Sequence, residues 1–152
     1  MNFRDKIKKV HSLSAMNTLS TDKWKKVITF GTFDLFHVGH LNILERARTE
    51  GNYLIVGVST DQLNYNKKQK YPVCSEENRL RILSALQVVD EVFKEESLEL
   101  KGEYIKKYNA DILVMGNDWE GKFDEFKSLC HVVYLERTPS ISTTELIEII
   151  KN

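Results

Sequence analysis

Apolar positions from residue 27 onward fall into alternating strand-like and helix-like segments. Continuous apolar runs at residues 27–30 and 53–59 predict two strands buried on both faces, which is typical of parallel sheets. Between them, residues 38–50 place apolar side chains at helical spacing, and Gly51 ends the predicted helix. The main body therefore opens with a strand, a helix and a second strand.

The same alternation continues to the C-terminus, after a polar, lysine-rich segment at residues 64–72 that predicts a loop. Further helices are predicted at residues 76–86, 98–108, 123–129 and 143–151, and further strands at residues 88–93, 111–115 and 131–135. This order predicts an α/β fold with a Rossmann-like, doubly wound, mostly parallel sheet and flanking helices in a single domain. Such a sheet binds ligands beyond the carboxyl ends of its strands.

The N-terminal residues differ from this body in charge. Residues 1–26 contain seven Lys or Arg and two Asp or Glu, whereas residues 27–152 contain 15 and 20. Phe3, Ile7 and Val10 share one helical stripe. We therefore predict a basic, partly helical N-terminal extension at residues 1–26, followed by one domain at residues 27–152.

Composition excludes several classes of protein. The 152 residues carry 22 basic and 22 acidic side chains, which is no signature of nucleic-acid binding. No apolar run approaches the roughly 20 residues of a membrane span, and no signal-peptide core follows the N-terminus. Cys74 and Cys130 lie in no metal-binding spacing. We expect a cytoplasmic protein with reduced cysteines, without a membrane span and without a nucleic-acid partner.

Candidate chemistry first appears at residues 31–40, directly after the first predicted strand. Gly31 ends the strand, where the backbone turns tightly or admits a ligand. His37 and His40 flank Gly39 at the start of the predicted helix, where free N–H groups favour a phosphate group. Two imidazoles beside such a terminus can donate hydrogen bonds to phosphate oxygens. This arrangement suits the negative charge that develops during a phosphoryl-type transfer.

Three motifs together resemble a known family. Residues 31–34 (Gly-Thr-Phe-Asp) and residues 37–40 (His-Val-Gly-His) resemble the HxGH nucleotidylyltransferases. Residues 137–144 are similar to the RTxxISTT motif of the cytidylyltransferase branch. Residues 115–124 contain the run Trp-Glu-Gly-Lys-Phe and resemble the glycerol-3-phosphate cytidylyltransferases. The resemblance covers about residues 27–150, in colinear order.

The resemblance implies a reaction between CTP and sn-glycerol 3-phosphate that gives CDP-glycerol and pyrophosphate. The acceptor phosphate attacks the nucleotide directly and in line, Mg²⁺ accompanies the triphosphate, and positioning supplies most of the catalysis. The family also implies a cytoplasmic homodimer. Its product serves teichoic-acid-like or capsular glycerol-phosphate polymers of the cell wall.

The resemblance also implies roles for individual residues. Catalytic roles fall to His37, His40, Lys68 and Arg137. Nucleotide binding falls to Thr32, Phe33, His37, Gly39, His40, Lys70, Arg137, Thr138, Ile141, Ser142, Thr143 and Thr144. The acceptor contacts Lys68, Lys101, Asp118 and Trp119, and Asp34 and Arg79 occupy further motif positions. No protein residue is assigned to the metal.

Several of these residues also have plainer interpretations. Lys68 and Lys70 alternate in a predicted extended loop, so both ammonium groups face one polyphosphate. Ser142 begins a capping box, which is compatible with a phosphate cradle. The fork of Arg79 suits phosphate, and the alternative is an exposed salt bridge. Asp34 fits a family position or a turn, and Asp61 fits a helix cap.

Alternative functions stay open at this point. The acceptor could be phosphoethanolamine, phosphocholine or another polyol phosphate; the cationic acceptors need an anion or an aromatic cage, for which Trp119 is one candidate wall. An adenylyltransferase of the same superfamily is a further alternative, but the motif at residues 137–144 argues against it. A catalytically silent nucleotide-binding module is expected to have lost a histidine or a motif hydroxyl, and all are present.

Overall fold

A computed structural model describes residues 24–139 and 141–152. The predicted extension at residues 1–26 lies outside the described residues apart from its last three positions. Among the residues that are described, no helix combines the length and the hydrophobicity that crossing a membrane requires.

Strands and helices alternate along the described chain. The strands are β1 (Lys26–Gly31), β2 (Tyr53–Ser59), β3 (Glu91–Glu95), β4 (Ile112–Gly116) and β5 (His131–Leu135). The α-helices are α1 (Val38–Thr49), α2 (Asp61–Lys68), α3 (Glu76–Ala85), α4 (Lys101–Lys107) and α5 (Thr143–Lys151). Two short 3₁₀ helices, Asn117–Trp119 and Asp124–Ser128, follow β4.

The five described strands form one parallel sheet in the order β3-β2-β1-β4-β5. The chain winds outward from β1 to β3 and then returns to the other side of β1 with β4, which makes the sheet doubly wound. The predicted Rossmann-like α/β fold is therefore confirmed. The switch point lies between β1 and β4, where ligands of such sheets bind at the carboxyl ends of the strands.

Apolar layers cover both faces of the sheet. Every residue of β2 is buried, and its alternate side chains join two different clusters. Leu54 and Val56 pack with Leu44 of α1 on one face, whereas Ile55 packs with Ile105 of α4 on the other. Full burial of an aliphatic side chain of this size stabilises the fold by roughly 1.5–3 kcal/mol. This two-sided burial explains why β2 is continuously apolar.

The segment after β2 differs from its prediction. Residues 61–68 form helix α2, whereas the sequence predicted a loop from residue 64. Thr60 caps this helix by accepting a hydrogen bond from the Leu63 N–H, so Asp61 occupies the first turn and is not the cap. Leu63 and Asn64 are the two buried residues of α2. A helix with so narrow a buried face leaves little hydrophobic periodicity to detect.

Candidate active site

Three adjoining cavities lie at the carboxyl ends of β1 and β4. The main cavity has a volume of about 550 Å³. The histidine cavity, of about 220 Å³, shares His40, Arg137 and Thr143 with it. The lysine cavity, of about 480 Å³, shares Thr32 and Lys68 with the main cavity. These cavities bring the three sequence motifs together, although 96 residues lie between the end of the first motif at residue 40 and the start of the last at residue 137.

The cavities collect nearly all of the predicted site residues. The main cavity is lined by Thr32, Phe33, Asp34, His40, Lys68, Lys70, Asp118, Trp119, Arg137, Thr143 and Thr144. The histidine cavity adds His37, Gly39, Thr138, Ile141 and Ser142, and the lysine cavity adds Lys101. Arg79 lines none of the three.

The two histidines form a reciprocal cap at the N-terminus of α1. The Gly39 N–H donates to His37 Nδ1 at 3.0 Å, and the His37 N–H donates to His40 Nδ1 at 3.3 Å. The imidazole rings stack with their centroids 3.7 Å apart. Because each Nδ1 atom accepts a hydrogen bond, each neutral ring carries its proton on Nε2. Both rings therefore hold an Nε2–H donor in a fixed orientation.

Both imidazoles are neutral at physiological pH. Burial, with smaller contributions from the nearby His37 and Arg137, lowers the pKa of His40 to about 4, and Asp34 opposes part of this shift. Burial also lowers the pKa of His37, with a smaller contribution from Arg137. The two imidazoles therefore act as hydrogen-bond donors that carry no positive charge before a ligand binds.

The glycines of the first motif make room for neighbouring side chains. A Cβ atom on Gly39 would lie 2.8 Å from the His37 ring and 3.1 Å from Ile141. A Cβ atom on Gly31 would lie 2.8 Å from the ring of Phe33, which has a positive φ of 55°. A positive φ at a non-glycine residue is strained and is held by its surroundings. The absence of a Cβ atom at these two glycines thus allows the rings of Phe33 and His37 to take their positions beside the cavities.

Asp34 holds the segment that follows α2 in place through hydrogen bonds. Its carboxylate accepts hydrogen bonds from the Val73 N–H at 2.7 Å and the Cys74 N–H at 2.8 Å. Its backbone carbonyl accepts from the Thr143 hydroxyl at 2.9 Å, and that hydroxyl lies 3.4 Å from His37 Nε2. Asp34 therefore serves the structural role that was one of its two predicted interpretations, and it also lines the main cavity.

Arg79 is a buried scaffold residue. It is 1% exposed, and its guanidinium donates to the carbonyl oxygens of Thr32, Ser59 and Cys74 at 2.8–3.0 Å. It also pairs with the Asp61 carboxylate at 2.7 Å. The ion pair of Arg79 is buried on the arginine side, so the predicted exposed salt bridge is wrong. Arg79 lines none of the three cavities, and its contact with a phosphate stays a prediction. Arg79 holds the strand ends and the segment before α3 in place.

The lysines that follow β2 reach the cavities from a helix end. Lys68 is the last residue of α2 and Gln69 is left-handed, with φ 58°. The predicted extended loop is therefore wrong, yet Lys68 and Lys70 both line the main cavity. Sequence analysis missed Lys67, which lines the lysine cavity and whose pKa is lowered by burial and by the nearby Lys68 and Lys101. The only feature of the sequence that pointed to Lys67 is its position next to Lys68.

Lys101 forms a buried ion pair beside the lysine cavity. It is 3% exposed, and its ammonium donates to Glu95 Oε2 at 2.5 Å. The other carboxylate oxygen accepts from the Ser59 hydroxyl at 3.1 Å. Burial lowers the pKa of Lys101, whereas Glu95 raises it. Glu95 was also missed, because its partners come from two different elements and share no motif.

The C-terminal motif closes the site. Arg137 pairs with Asp118 at 3.0 Å, and the Asn42 amide donates to the Thr138 hydroxyl at 3.1 Å. Ser142 caps α5 by accepting from the Glu145 N–H, so the predicted cap is confirmed. The N-termini of α1 and α5 therefore both meet the histidine cavity, where their partial positive charges favour phosphate. Within the described residues, no group of three or more His, Cys, Asp or Glu side chains could hold a metal ion.

The chain is similar to known proteins in both sequence and fold. The cytidylyltransferase-like family model matches residues 28–149. A glycerol-3-phosphate cytidylyltransferase from Bacillus subtilis is 53% identical over 82% of this chain and 95% of its own length. An ethanolamine-phosphate cytidylyltransferase from Dictyostelium discoideum is 36% identical over 87% of this chain and 38% of its own length. The crystal structure of a lipopolysaccharide core biosynthesis protein from Thermoplasma volcanium shares the fold, with a TM-score of 0.67 and 24% identity; the match covers 76% of this chain and 99% of that one.

Proposed function

The chain belongs to the cytidylyltransferase-like family, and on that premise we propose that it transfers CMP from CTP to sn-glycerol 3-phosphate. The products are CDP-glycerol and pyrophosphate. The observation that carries this choice of acceptor is the 53% identity to a glycerol-3-phosphate cytidylyltransferase, of which the chain covers 95%. The match to the ethanolamine-phosphate enzyme covers 38% of that protein.

The reaction is a direct displacement at the α-phosphorus of CTP. A phosphate oxygen of the acceptor forms the new O–P bond as the bond to the pyrophosphate oxygen breaks, and pyrophosphate leaves with the electron pair. The acceptor phosphate is already an anion, so the step needs no general base. Catalysis then consists of alignment and stabilisation of charge.

The two histidines are suited to the stabilisation of charge. Their Nδ1 atoms are held by backbone N–H groups, so their Nε2–H groups are oriented before the substrate binds. Donors that are fixed in advance cost no reorganisation as charge develops on the phosphate oxygens. We assign His37 and His40 to the triphosphate, together with the helix N-termini, Lys70 and Arg137.

The acceptor fits between the main and lysine cavities. Lys68 and Trp119 line both, so a phosphate beside Lys68 can reach the nucleotide while the glycerol extends toward Lys101. Asp118 holds Arg137 by an ion pair whose members are both half-exposed. We therefore assign Lys68 to the reacting phosphate and Asp118 to the orientation of Arg137.

Mg²⁺ enters this proposal as the partner of the triphosphate. Mg²⁺ usually keeps several waters and binds through one or two carboxylates and substrate phosphates, so the proposal assigns the ion to the triphosphate. When bound, the ion neutralises phosphate charge and assists the departure of pyrophosphate. We also propose a cytoplasmic homodimer whose product supplies teichoic-acid-like or capsular glycerol-phosphate polymers.

Pyrophosphate release tests the proposal. CTP and ATP are each combined with glycerol 3-phosphate, ribitol 5-phosphate, phosphoethanolamine or phosphocholine in the presence of Mg²⁺. We expect turnover with CTP and glycerol 3-phosphate. Faster turnover with another acceptor would replace the proposed substrate. Absence of turnover in every combination, from folded protein that binds CTP, would favour a silent nucleotide-binding module.

A further inference from the structure

The lysine cavity has the walls of a site for an organic cation. Its lining includes four aromatic rings and two carboxylates, contributed by Phe30, Trp119, Phe123, Phe126, Glu95 and Glu125. Aromatic faces combined with carboxylates bind ammonium groups through the ring quadrupole and the negative charge. Taken alone, these walls fit an acceptor that carries an amine or a quaternary ammonium.

An ammonium group of the chain itself already occupies this position. Lys101 Nζ lies 4.0 Å from the centre of the Phe30 ring and 5.4 Å from that of Phe123. It is held there by Glu95, which is 1% exposed and is itself held by Ser59. Lys101, Glu95 and Ser59 stand at the ends of three different elements, α4, β3 and β2, so the ammonium is fixed by the fold.

We propose that Lys101 is a specificity-determining residue whose ammonium fills the cation subsite of the acceptor cavity and thereby excludes phosphoethanolamine and phosphocholine. This inference rests on the proposed function, since it concerns the acceptor of that reaction. The predicted contact of Lys101 with the acceptor stays a prediction beside this role.

Repulsion is the physical basis of the selection. The Lys101 ammonium lies against the aromatic rings that a cationic headgroup would otherwise contact, so it repels such a headgroup. Lys67 and Lys68, which also line the cavity, add to this repulsion. The Glu95 carboxylate is already paired, so it offers little compensation. A glycerol moiety carries no charge and exchanges hydrogen bonds with the same groups. Discrimination by an unfavourable contact with the wrong ligand is as effective as a favourable contact with the right one.

The test compares acceptor preference in four proteins: wild type, Lys101→Met, Lys101→Met with Glu95→Gln, and Lys106→Met. Lys106 lies on the same helix, and its side chain is 59% exposed and does not line the lysine cavity, so it is the matched control. The kcat/KM values for phosphoethanolamine and for glycerol 3-phosphate are measured at saturating CTP. CTP affinity and Tm report whether each variant is folded.

We expect Lys101→Met to raise the ratio of phosphoethanolamine to glycerol 3-phosphate kcat/KM at least about 30-fold, which corresponds to about 2 kcal/mol of desolvated cation–π attraction. The freed Glu95 carboxylate then pairs with the substrate amine. The double variant should show a smaller rise, because only the rings remain to attract the cation. Lys106→Met should keep the wild-type ratio.

An unchanged ratio in folded Lys101→Met overturns the inference, and so does a raised ratio that comes only from a lower kcat/KM for glycerol 3-phosphate, with no rise in kcat/KM for phosphoethanolamine. If that variant does not fold because Glu95 is left unpaired, an unchanged ratio in the double variant overturns it instead, since no buried charge remains unpaired there. Wild-type protein that prefers phosphoethanolamine also overturns it. Wild-type turnover with glycerol 3-phosphate reports separately on the proposed function, so the two failures are distinguishable.

Discussion

Replacement of His40 by asparagine separates its chemical role from its structural one. In the folded protein, His40 Nδ1 accepts from the His37 N–H at 3.3 Å, and Nε2–H is the group left for the substrate. The asparagine oxygen can take the place of Nδ1, but it leaves no donor at the position of Nε2. Alanine removes both contacts, and either substitution removes the ring that stacks on His37.

The expected magnitudes follow from these contacts. Loss of one fixed donor to a transition-state oxygen lowers kcat by about 100- to 1,000-fold, or about 2.7–4 kcal/mol. Loss of a helix cap costs about 1 kcal/mol of stability. We therefore expect both variants to lose at least about 100-fold in kcat, and the alanine variant alone to lose the capping contribution to the free energy of unfolding.

The assay is steady-state pyrophosphate release, with unfolding by urea as the measure of stability. His131→Asn is the matched control, because His131 is exposed at the opposite end of the sheet, at the start of β5. It should keep wild-type turnover. A folded His40→Asn variant whose kcat lies within threefold of the wild-type value would remove His40 from the mechanism.

Three further predictions concern the scaffold, the pH dependence and the N-terminus. Arg79→Met leaves three carbonyl oxygens and the Asp61 carboxylate without their partner, so urea unfolding should show a loss of about 3–5 kcal/mol; a loss below about 1 kcal/mol would contradict the scaffold role. The pKa of His40 is about 4 in the folded protein against 6.5 as the ordinary value, so the unfolded chain takes up the proton first as the pH falls. The contribution to stability, up to about 3 kcal/mol, is therefore complete above pH 6.5 and is lost between pH 6.5 and 4; an equally steep loss in His40→Asn would refute this assignment. Deletion of residues 1–22 should leave kcat within about threefold of the wild-type value, and a larger fall in a protein of unchanged oligomeric state would show that the extension shapes the site.

The elements that the sequence predicted well are those with strong local signals. Strand β5 at His131–Leu135 and helix α5 at Thr143–Lys151 have the predicted bounds. One is a compact β-branched and apolar run, and the other begins at a serine cap. Helix α2 was missed because its stability comes from the Thr60 cap and from a small buried face rather than from periodicity.

The parts of the site that were missed depend on contacts between distant segments. Arg79 has the same fork whether it binds phosphate or carbonyl oxygens, and only the fold brings Thr32, Ser59 and Cys74 around it. The pairing of Lys101 with Glu95 likewise requires β3 and α4 to be placed side by side. A motif thus predicts which residues gather at a site, whereas the tertiary structure decides which of them remain free for a ligand.

The proposed transfer is tested most directly by following the oxygen atoms of the acceptor phosphate. Glycerol 3-phosphate labelled with ¹⁸O in its phosphate group is incubated with CTP, Mg²⁺ and the full chain, and the products are analysed by mass spectrometry and ³¹P NMR. Direct attack by the acceptor phosphate predicts CDP-glycerol that retains all of the label, with one ¹⁸O bridging the two phosphorus atoms, and unlabelled pyrophosphate. Label in pyrophosphate, or release of CMP without CDP-glycerol, would contradict direct attack by the acceptor phosphate.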